Sequence, residues 1–178
     1  MQNPKLRILL AAVLLPGMIA LLVWRFTSDD GTAQEHFEHG KEHFKADNYE
    51  LVVKEMNEVI RMDPKFRKAH YYRGFAYDKN GLTDQAIADY TEEIRLYPDS
   101  VIAYSGRARA YLHQNELDKA IADLTEMIRL RPEDAHAYLH RGFLFFKKGD
   151  RQKADADRDR AMQMDPTIAD KFETGGKD

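Results

Sequence analysis

Three histidines between residues 36 and 43 have the spacing that best matches a set of metal ligands. His36, His39 and His43 fall at i, i+3 and i+7, so their rings share one face of a helix. Histidines at such spacing can bind Zn²⁺, usually together with a carboxylate or a cysteine. No such group completes the motif, and the chain has no cysteine. We therefore interpret them as partly buried histidines and keep a metal-dependent enzyme that uses them as a remote alternative.

A run of alternating aspartates matches the start of a calcium-binding loop at Asp155, Asp157 and Asp159. Arg160 stands where that loop needs glycine, and Pro166 stands where it needs glutamate. The run is therefore not interpreted as a calcium site. The sequence also has no phosphate-binding glycine loop and no activated-nucleophile motif. We expect no enzyme activity, no catalytic residue, and no cofactor or metal.

Arginine and aspartate recur at a fixed separation in three places. A partly buried guanidinium needs a carboxylate partner, so we expect each pair to meet across a helical hairpin. The alternative is that all six are solvated charges contributing about 0 to 1 kcal/mol per pair. His39 and Glu55 take the corresponding positions near the amino terminus. The pairs are Arg73 with Asp89, Arg107 with Asp123, and Arg141 with Asp157.

The spacing of these pairs follows an internal repeat of 34 residues. Prolines mark the period without drift. Small, aromatic and small residues recur at the eighth, eleventh and twentieth positions, except that the first unit has His43 and Val52 at the last two. Apolar residues at helical spacing occur twice per unit, which predicts two helices per unit that end at the proline. The prolines are Pro64, Pro98, Pro132 and Pro166, and the units are residues 33–66, 67–100, 101–134 and 135–168.

Composition excludes several other classes of protein. The chain has 178 residues, of which 43% are hydrophobic and 32% charged, and its formal net charge is -3. A disordered polyelectrolyte and a basic nucleic-acid-binding protein do not fit these values. We expect a single folded body that does not bind nucleic acid or a small-molecule substrate.

The repeat resembles the tetratricopeptide repeat family over residues 33–168. The matching text includes AHYYRGFAY at 69–77, AYSGRARAY at 103–111 and AYLHRGFLF at 137–145. The resemblance implies an all-α, right-handed solenoid of four helix-turn-helix repeats. It also implies a concave groove, lined by the first helix of each unit, that binds a peptide or an amphipathic helix of a partner protein.

Positions 2, 5, 9 and 12 of each unit point into that groove in the family. Transferred to this chain, they give an aromatic and aliphatic surface with scattered positive charge. The alternative is that some of these aromatic residues only pack between neighbouring repeats. Tyr72 is expected at its rim. The residues are Gln34, Phe37, Lys41 and Phe44; Lys68, Tyr71, Phe75 and Asp78; Ile102, Ser105, Arg109 and Leu112; and His136, Leu139, Phe143 and Phe146.

Family members that bind chaperone carboxyl termini carry a Lys, Asn and Arg clamp for carboxylates. The corresponding residues here do not form one, so the resemblance does not extend to that clamp. They are Phe37, Lys41, Tyr72, Ile102 and Gly106.

The amino-terminal residues 1–25 differ from the rest of the chain. Residues 8–24 are an uncharged apolar segment that predicts a transmembrane signal anchor, with a cleaved signal peptide as the alternative. Lys5 and Arg7 precede the segment and only Arg25 follows it, which favours a cytoplasmic amino terminus. Residues 26–32 read as a linker, and residues 169–178 read as a short helical stub and tail.

Together these features predict a single-pass membrane protein that acts as a scaffold or adaptor. We expect it in a bacterial inner membrane, with the repeats facing the periplasm and aiding the assembly or tethering of a membrane or envelope complex. The alternative is a cytosol-facing membrane cochaperone or import receptor.

Overall fold

The computed structural model describes residues 31–168, and these form eight α-helices and a short 3₁₀ turn, with no strand among them. The helices are α1 (Ala33–Lys45), α2 (Tyr49–Met62), α3 (Ala69–Lys79), α4 (Thr83–Leu96), α5 (Val101–His113), α6 (Leu117–Leu130), α7 (Ala135–Lys147) and α8 (Arg151–Met164), and the turn is Pro166–Ile168.

Consecutive helices pack as hairpins that stack along the chain. Each first helix packs on the second helix of its own unit, and each second helix packs on the first helix of the next unit. The first helices also contact one another, α1 with α3 and α3 with α5. Such nearest-neighbour packing makes this part of the chain an α-solenoid.

The turn inside each hairpin has the same backbone conformation. The fifteenth residue of every unit has a positive φ, which ends the first helix in a left-handed conformation. Glycine, asparagine and aspartate adopt this conformation more readily than other residues. The four residues are Asp47 (φ 56°), Gly81 (φ 76°), Asn115 (φ 59°) and Gly149 (φ 83°).

The prolines lie two residues beyond the end of the second helix in every unit. Proline has no N–H and cannot extend a helix, so it separates one hairpin from the next.

Within the hairpins, glycine lets the backbones of the two helices approach each other. A Cβ on Gly142 would lie 3.1 Å from the carbonyl oxygen of Ala154, and one on Gly74 would lie 3.2 Å from that of Ala86.

One first helix begins later in its unit than the other three first helices do. Helix α3 starts at Ala69, two residues into its unit, and the preceding Lys68 has φ 72°. The fully buried carboxylate of Glu93 replaces a local cap, because its Oε1 accepts a hydrogen bond from the backbone N–H of Lys68 at 3.1 Å. Lys68, predicted in the groove, therefore lies before the helix and is exposed.

Glutamine in place of Glu93 is expected to remove a destabilisation that grows with pH. Burial raises the pKa of Glu93, although hydrogen bonds from the backbone N–H groups of Lys68 and Tyr71 oppose the rise. A raised folded-state pKa stabilises the protein below the unfolded-state value of about 4.3, and this contribution is lost as the pH rises through the folded-state pKa. Urea unfolding should show that Glu93→Gln gains stability relative to wild type between about pH 4 and about pH 7.

The neighbouring Glu92 provides a matched control. A hydrogen bond from Arg95 lowers the pKa of Glu92, so its contribution to stability is present at neutral pH and is lost on acidification. Glu92→Gln should therefore lose stability relative to wild type over the same rise in pH. A relative stability of Glu93→Gln that does not change with pH would contradict this account of α3.

The last unit ends in a polar surface. In α8, Asp155 and Arg158 lie at positions that are apolar in the two preceding units, and they pair with each other at 2.9 Å. After α8 the chain turns back, and Ile168 is buried against Leu139 and Ala161. This arrangement gives the fourth repeat a solvated outer face.

Among the helices of residues 31–168, none combines the length and the apolar composition that crossing a bilayer requires. The predicted anchor at residues 8–24 and the predicted tail at residues 169–178 lie outside the described residues.

Candidate protein-binding groove

The first helices form the inner side of the solenoid. Among the described residues, α1 contacts α3, and α3 contacts α5. No two second helices in this part of the chain contact each other to the same extent. The row of first helices is therefore the more closely spaced one. We call the face of this row that carries positions 2, 5, 9 and 12 the groove surface.

Aromatic rings fill the groove surface between α1 and α3. The ring centroid of Phe44 lies 4.8 Å from that of Phe75 and 5.1 Å from that of Tyr72. Tyr71 continues the cluster, with its centroid 5.3 Å from Tyr72 and 6.3 Å from Phe75. All four side chains are half-buried, so each both packs in the fold and presents an edge to solvent.

Positive charges lie over several of these rings. Lys79 Nζ is 5.4 Å and Arg109 Cζ is 5.1 Å from the ring centroid of Phe75. Lys41 Nζ is 5.4 Å from the ring centroid of Phe37. Cations at this distance are attracted to the ring faces, which holds the charges close to the apolar surface.

The groove surface on α5 and α7 consists of aliphatic and aromatic residues. One of them is more exposed to solvent than the rings on α1 and α3. Leu112 and Phe143 are half-buried against the core of the third and fourth units. Phe146 is 53% exposed, the most exposed of the large apolar residues in residues 31–168. His136 is also exposed at the start of α7, while Ile102 on α5 is half-buried.

The structure buries two residues that the sequence placed in the groove. Phe37 packs against Phe66, with ring centroids 4.9 Å apart, and is 8% exposed. Leu139 packs against Ile168 and Ala161. Both are core residues and are not available to a partner.

The arginine and aspartate pairs meet in all three hairpins. In each pair Nε and Nη2 of the arginine donate to the two carboxylate oxygens at 2.6 to 2.9 Å. The remaining Nη1 donates to the second helix of the preceding unit, where the acceptors are Asn57, Thr91 and Thr125. Each arginine therefore joins three helices and two units.

The first unit uses a different histidine from the one predicted. His39 is exposed and does not meet Glu55; instead His36 Nδ1 lies 2.6 Å from Glu55 Oε2. The same geometry recurs one unit later, where His70 Nδ1 lies 3.2 Å from Asp89 Oδ1. Within residues 31–168, no group of three or more histidine, aspartate or glutamate side chains is arranged to hold a metal ion.

Comparison with protein families decides the classification. A model described as tetratricopeptide repeat matches residues 37–101, 76–135 and 106–159, which is more than half of the chain. This chain belongs to the tetratricopeptide repeat (TPR) family. No curated protein matches its sequence.

Solved structures of other proteins share the fold. A crystal structure of MamA has a TM-score of 0.76 at 22% identity, covering 83% of this chain and 85% of that chain. MamA from Desulfovibrio magneticus RS-1 has a TM-score of 0.73 at 20% identity, covering 81% of each chain. The first TPR of Spaghetti (RPAP3), bound to the HSP90 peptide SRMEEVD, has a TM-score of 0.59 at 22% identity and covers 72% and 94%.

Sequence reasoning placed Asp78 and Arg109 in the TPR groove but did not predict that they pair. Arg109 Nε donates to Asp78 Oδ2 at 3.0 Å, joining α3 to α5 where other neighbouring units place apolar residues. The signal was present in the sequence. Asp78 is the one polar residue at position 12, and Arg109 and Lys41 are the two cations at position 9.

Proposed function

We propose that the protein is a membrane-anchored TPR adaptor whose right-handed solenoid holds a partner protein on the groove surface. The partner contributes an apolar peptide or the apolar face of an amphipathic helix. Through this contact the protein tethers or helps to assemble a membrane or envelope complex. TPR proteins are in general interaction scaffolds, and the groove here carries the residues for that task.

The observation that carries the proposal is the exposed Phe146, which lies three residues after the groove residue Phe143 on α7. A phenylalanine that remains half exposed adds little to the fold, and its burial by a partner contributes about 1.5 to 3 kcal/mol when complete. The rings of Phe44 and Phe75 form a second apolar part of the groove surface, on α1 and α3. Grooves of this composition bind extended or helical apolar segments.

A partner with an acidic carboxyl terminus is less favoured. Spaghetti (RPAP3) holds the peptide SRMEEVD on its first TPR. Of the residues at the clamp positions in this chain, Lys41 is the only cation, Phe37 is buried and Gly106 has no side chain. The cochaperone alternative would need a different mode of binding here.

The membrane part of the proposal is supported by the sequence of residues 8–24 and the basic residues before it. Alkaline phosphatase fused after Asp178 should be active, and a fluorescent protein at the same site should be dark, if the repeats face the periplasm. The reverse result would place them in the cytosol and favour the cochaperone or import-receptor alternative.

Photo-crosslinking in native membranes tests the groove itself. A photoreactive amino acid at Phe146 should crosslink to a defined partner protein. The matched control is Leu51, which is 41% exposed on α2 and therefore lies outside the row of first helices. Crosslinks from both sites to the same proteins, or from Leu51 alone, would contradict the proposed binding surface.

A further inference from the structure

Basic residues stand beside the groove surface at the end of every first helix. The last residue of each of these helices, at position 13 of its unit, is basic and exposed. In α5 it is His113, whose Nδ1 lies 3.4 Å from Asp78 Oδ1. The other three are lysines, and we call them the lysine column: Lys45 on α1, Lys79 on α3 and Lys147 on α7.

The lysine column lies against the rings of the groove surface. Position 13 follows groove position 9 by one helical turn, so the two positions share one side of the helix. Nζ of Lys79 is 5.4 Å from the ring centroid of Phe75, and Nζ of Lys147 is 5.6 Å from that of Phe143. Lys147 also follows the exposed Phe146 directly. The apolar groove surface therefore has a positively charged edge.

The lysine column forms no ion pair within residues 31–168. Lysines of this part of the chain that do form ion pairs are Lys41, Lys119, Lys148 and Lys153. Lys45 comes nearest to a carboxylate. A hydrogen bond from Lys41 is the main cause that lowers the pKa of Glu38, and the charge of Lys45 is the least of the causes. The charges of the column are thus open to a partner.

Carboxylates near the turns that follow the first helices already have other partners. Each of four aspartates there accepts a hydrogen bond from, or pairs with, a side chain outside the lysine column. The pairs are Asp47 with Tyr49, Asp84 with Gln114, Asp118 with Lys148, and Asp150 with Lys153. These aspartates do not neutralise the column.

The helix dipole explains why cations stand at these helix ends, but it does not explain why they are unpaired. The second helices α2, α4 and α6 also carry a cation in the last turn, and there it pairs with a glutamate three residues earlier. These pairs are Arg61 with Glu58, Arg95 with Glu92, and Arg129 with Glu126. Three residues before Lys79 and Lys147 stand Ala76 and Leu144. Cations in equivalent places are therefore paired on the second helices and unpaired beside the groove.

The spacing of the lysine column favours a helix as the occupant of the groove. Packed helices lie about 10 Å apart, which sets the step from one unit to the next. About seven residues of an α-helix rise by this distance and return to the same face. An extended chain covers it in about three residues, which puts successive side chains on opposite faces. Carboxylates about seven residues apart on a helix can thus all face the column.

We propose that the groove surface holds an amphipathic helix with an acidic edge, whose carboxylates, about seven residues apart beside its apolar stripe, pair with the lysine column. This rests on the proposed function, because it specifies the conformation and the charge pattern of the partner segment. The apolar stripe covers the rings at positions 9 and 12. The paired charges fix the orientation of the helix and exclude basic amphipathic helices.

Three synthetic helices of about 28 residues test the acidic edge without a known partner. All carry the same leucine stripe. The edge-glutamate peptide has one glutamate per heptad beside the stripe, the edge-lysine peptide has lysine there, and the back-glutamate peptide has the same composition as the first but its glutamates lie opposite the stripe. Fluorescence anisotropy measures their affinity for the full chain in nanodiscs of zwitterionic lipid, with empty nanodiscs as the blank.

We expect the edge-glutamate peptide to bind about tenfold more tightly than either of the others. Three exposed ion pairs together are sufficient for a difference of this size. The difference should shrink in about 1 M salt, where charges are screened beyond about 3 Å.

A variant without the lysine column should bind the edge-glutamate and back-glutamate peptides equally. It combines Lys45→Gln, Lys79→Gln and Lys147→Gln. The matched control removes the same charge from the last turns of the second helices and should keep the preference. It combines Arg61→Gln, Arg95→Gln and Arg129→Gln.

Equal binding of the edge-glutamate and back-glutamate peptides to wild type overturns the inference, and so does a lack of saturable binding. A preference that survives in the variant without the lysine column also overturns it. Loss of binding to phosphatidylserine vesicles in that variant, with no ranking among the peptides, would assign the lysines to a lipid surface instead. The wild-type ranking needs no variant to fold.

Phe146→Asp separates this inference from the proposed function. Peptide binding that is the same for both glutamate peptides but is lost in Phe146→Asp would overturn the acidic edge and leave the groove as the binding surface. An affinity for the edge-glutamate peptide that Phe146→Asp leaves unchanged would instead contradict the proposed function.

Discussion

Replacing Arg107 with alanine is expected to lower the free energy of unfolding by about 3 kcal/mol. The guanidinium is 16% exposed and donates to both carboxylate oxygens of Asp123, which is 6% exposed, at 2.8 and 2.9 Å. It also donates to Thr91 on α4 at 3.0 Å, so the side chain joins the second unit to the third. Its removal leaves a buried carboxylate without its partner, which costs more than the lost pair itself.

A double-mutant cycle measured by urea unfolding checks this expectation. Asp123→Ala should cost less than Arg107→Ala, because the longer arginine side chain can turn towards water. The double variant should be more stable than the sum of the two single losses predicts. Arg129→Ala is the control, since Arg129 is 64% exposed and pairs with Glu126 three residues earlier in the sequence. A loss for Arg107→Ala no larger than that for Arg129→Ala would show that the pair is an ordinary surface ion pair.

Most of the fold could be predicted from the 34-residue period of the repeat. Helices α5 and α7 begin at the first residue of their predicted units, and the chain leaves each second helix two residues before the proline. The late start of α3 was not predictable from its own residues. It depends on Glu93, which occupies a position that is apolar in the other units and whose carboxylate caps the helix from a distance of 25 residues along the chain.

The two misplaced groove residues have a common physical cause. Phe37 and Leu139 are covered because the last residue of their units is large and apolar, Phe66 in the first and Ile168 in the fourth. In the second and third units that residue is serine or aspartate, and Tyr71 at the same groove position remains half-buried. A large residue at the last position of a unit is therefore a signal that the fifth position is core.

The misassigned histidine reflects side-chain length. An arginine at the seventh position of a unit is long enough to reach the carboxylate on the second helix. An imidazole is shorter, so contact is made from the fourth position, as His36 does with Glu55 and His70 does with Asp89. The position of the carboxylate was predictable, whereas its partner depended on the reach of the side chain.

Phe146→Asp is expected to weaken capture of the partner by about tenfold or more. A buried phenylalanine contributes about 1.5 to 3 kcal/mol to binding, and each 1.4 kcal/mol changes an affinity about tenfold. The carboxylate would add a desolvation cost in an apolar contact. Because Phe146 is 53% exposed, the fold itself should lose little. Circular dichroism and thermal unfolding of the variant check that point.

The matched control is Leu51→Asp, which introduces the same carboxylate in place of an exposed apolar residue on α2. The introduced carboxylate lies outside the groove surface, and a negative charge in the first turn of a helix is favourable. The most direct measurement is quantitative recovery of bound proteins from solubilised native membranes with the wild type and these two variants. We predict that the proteins recovered with wild type are recovered equally with Leu51→Asp and fall about tenfold or more with Phe146→Asp. Equal recovery with all three would contradict a partner-binding groove on the first helices.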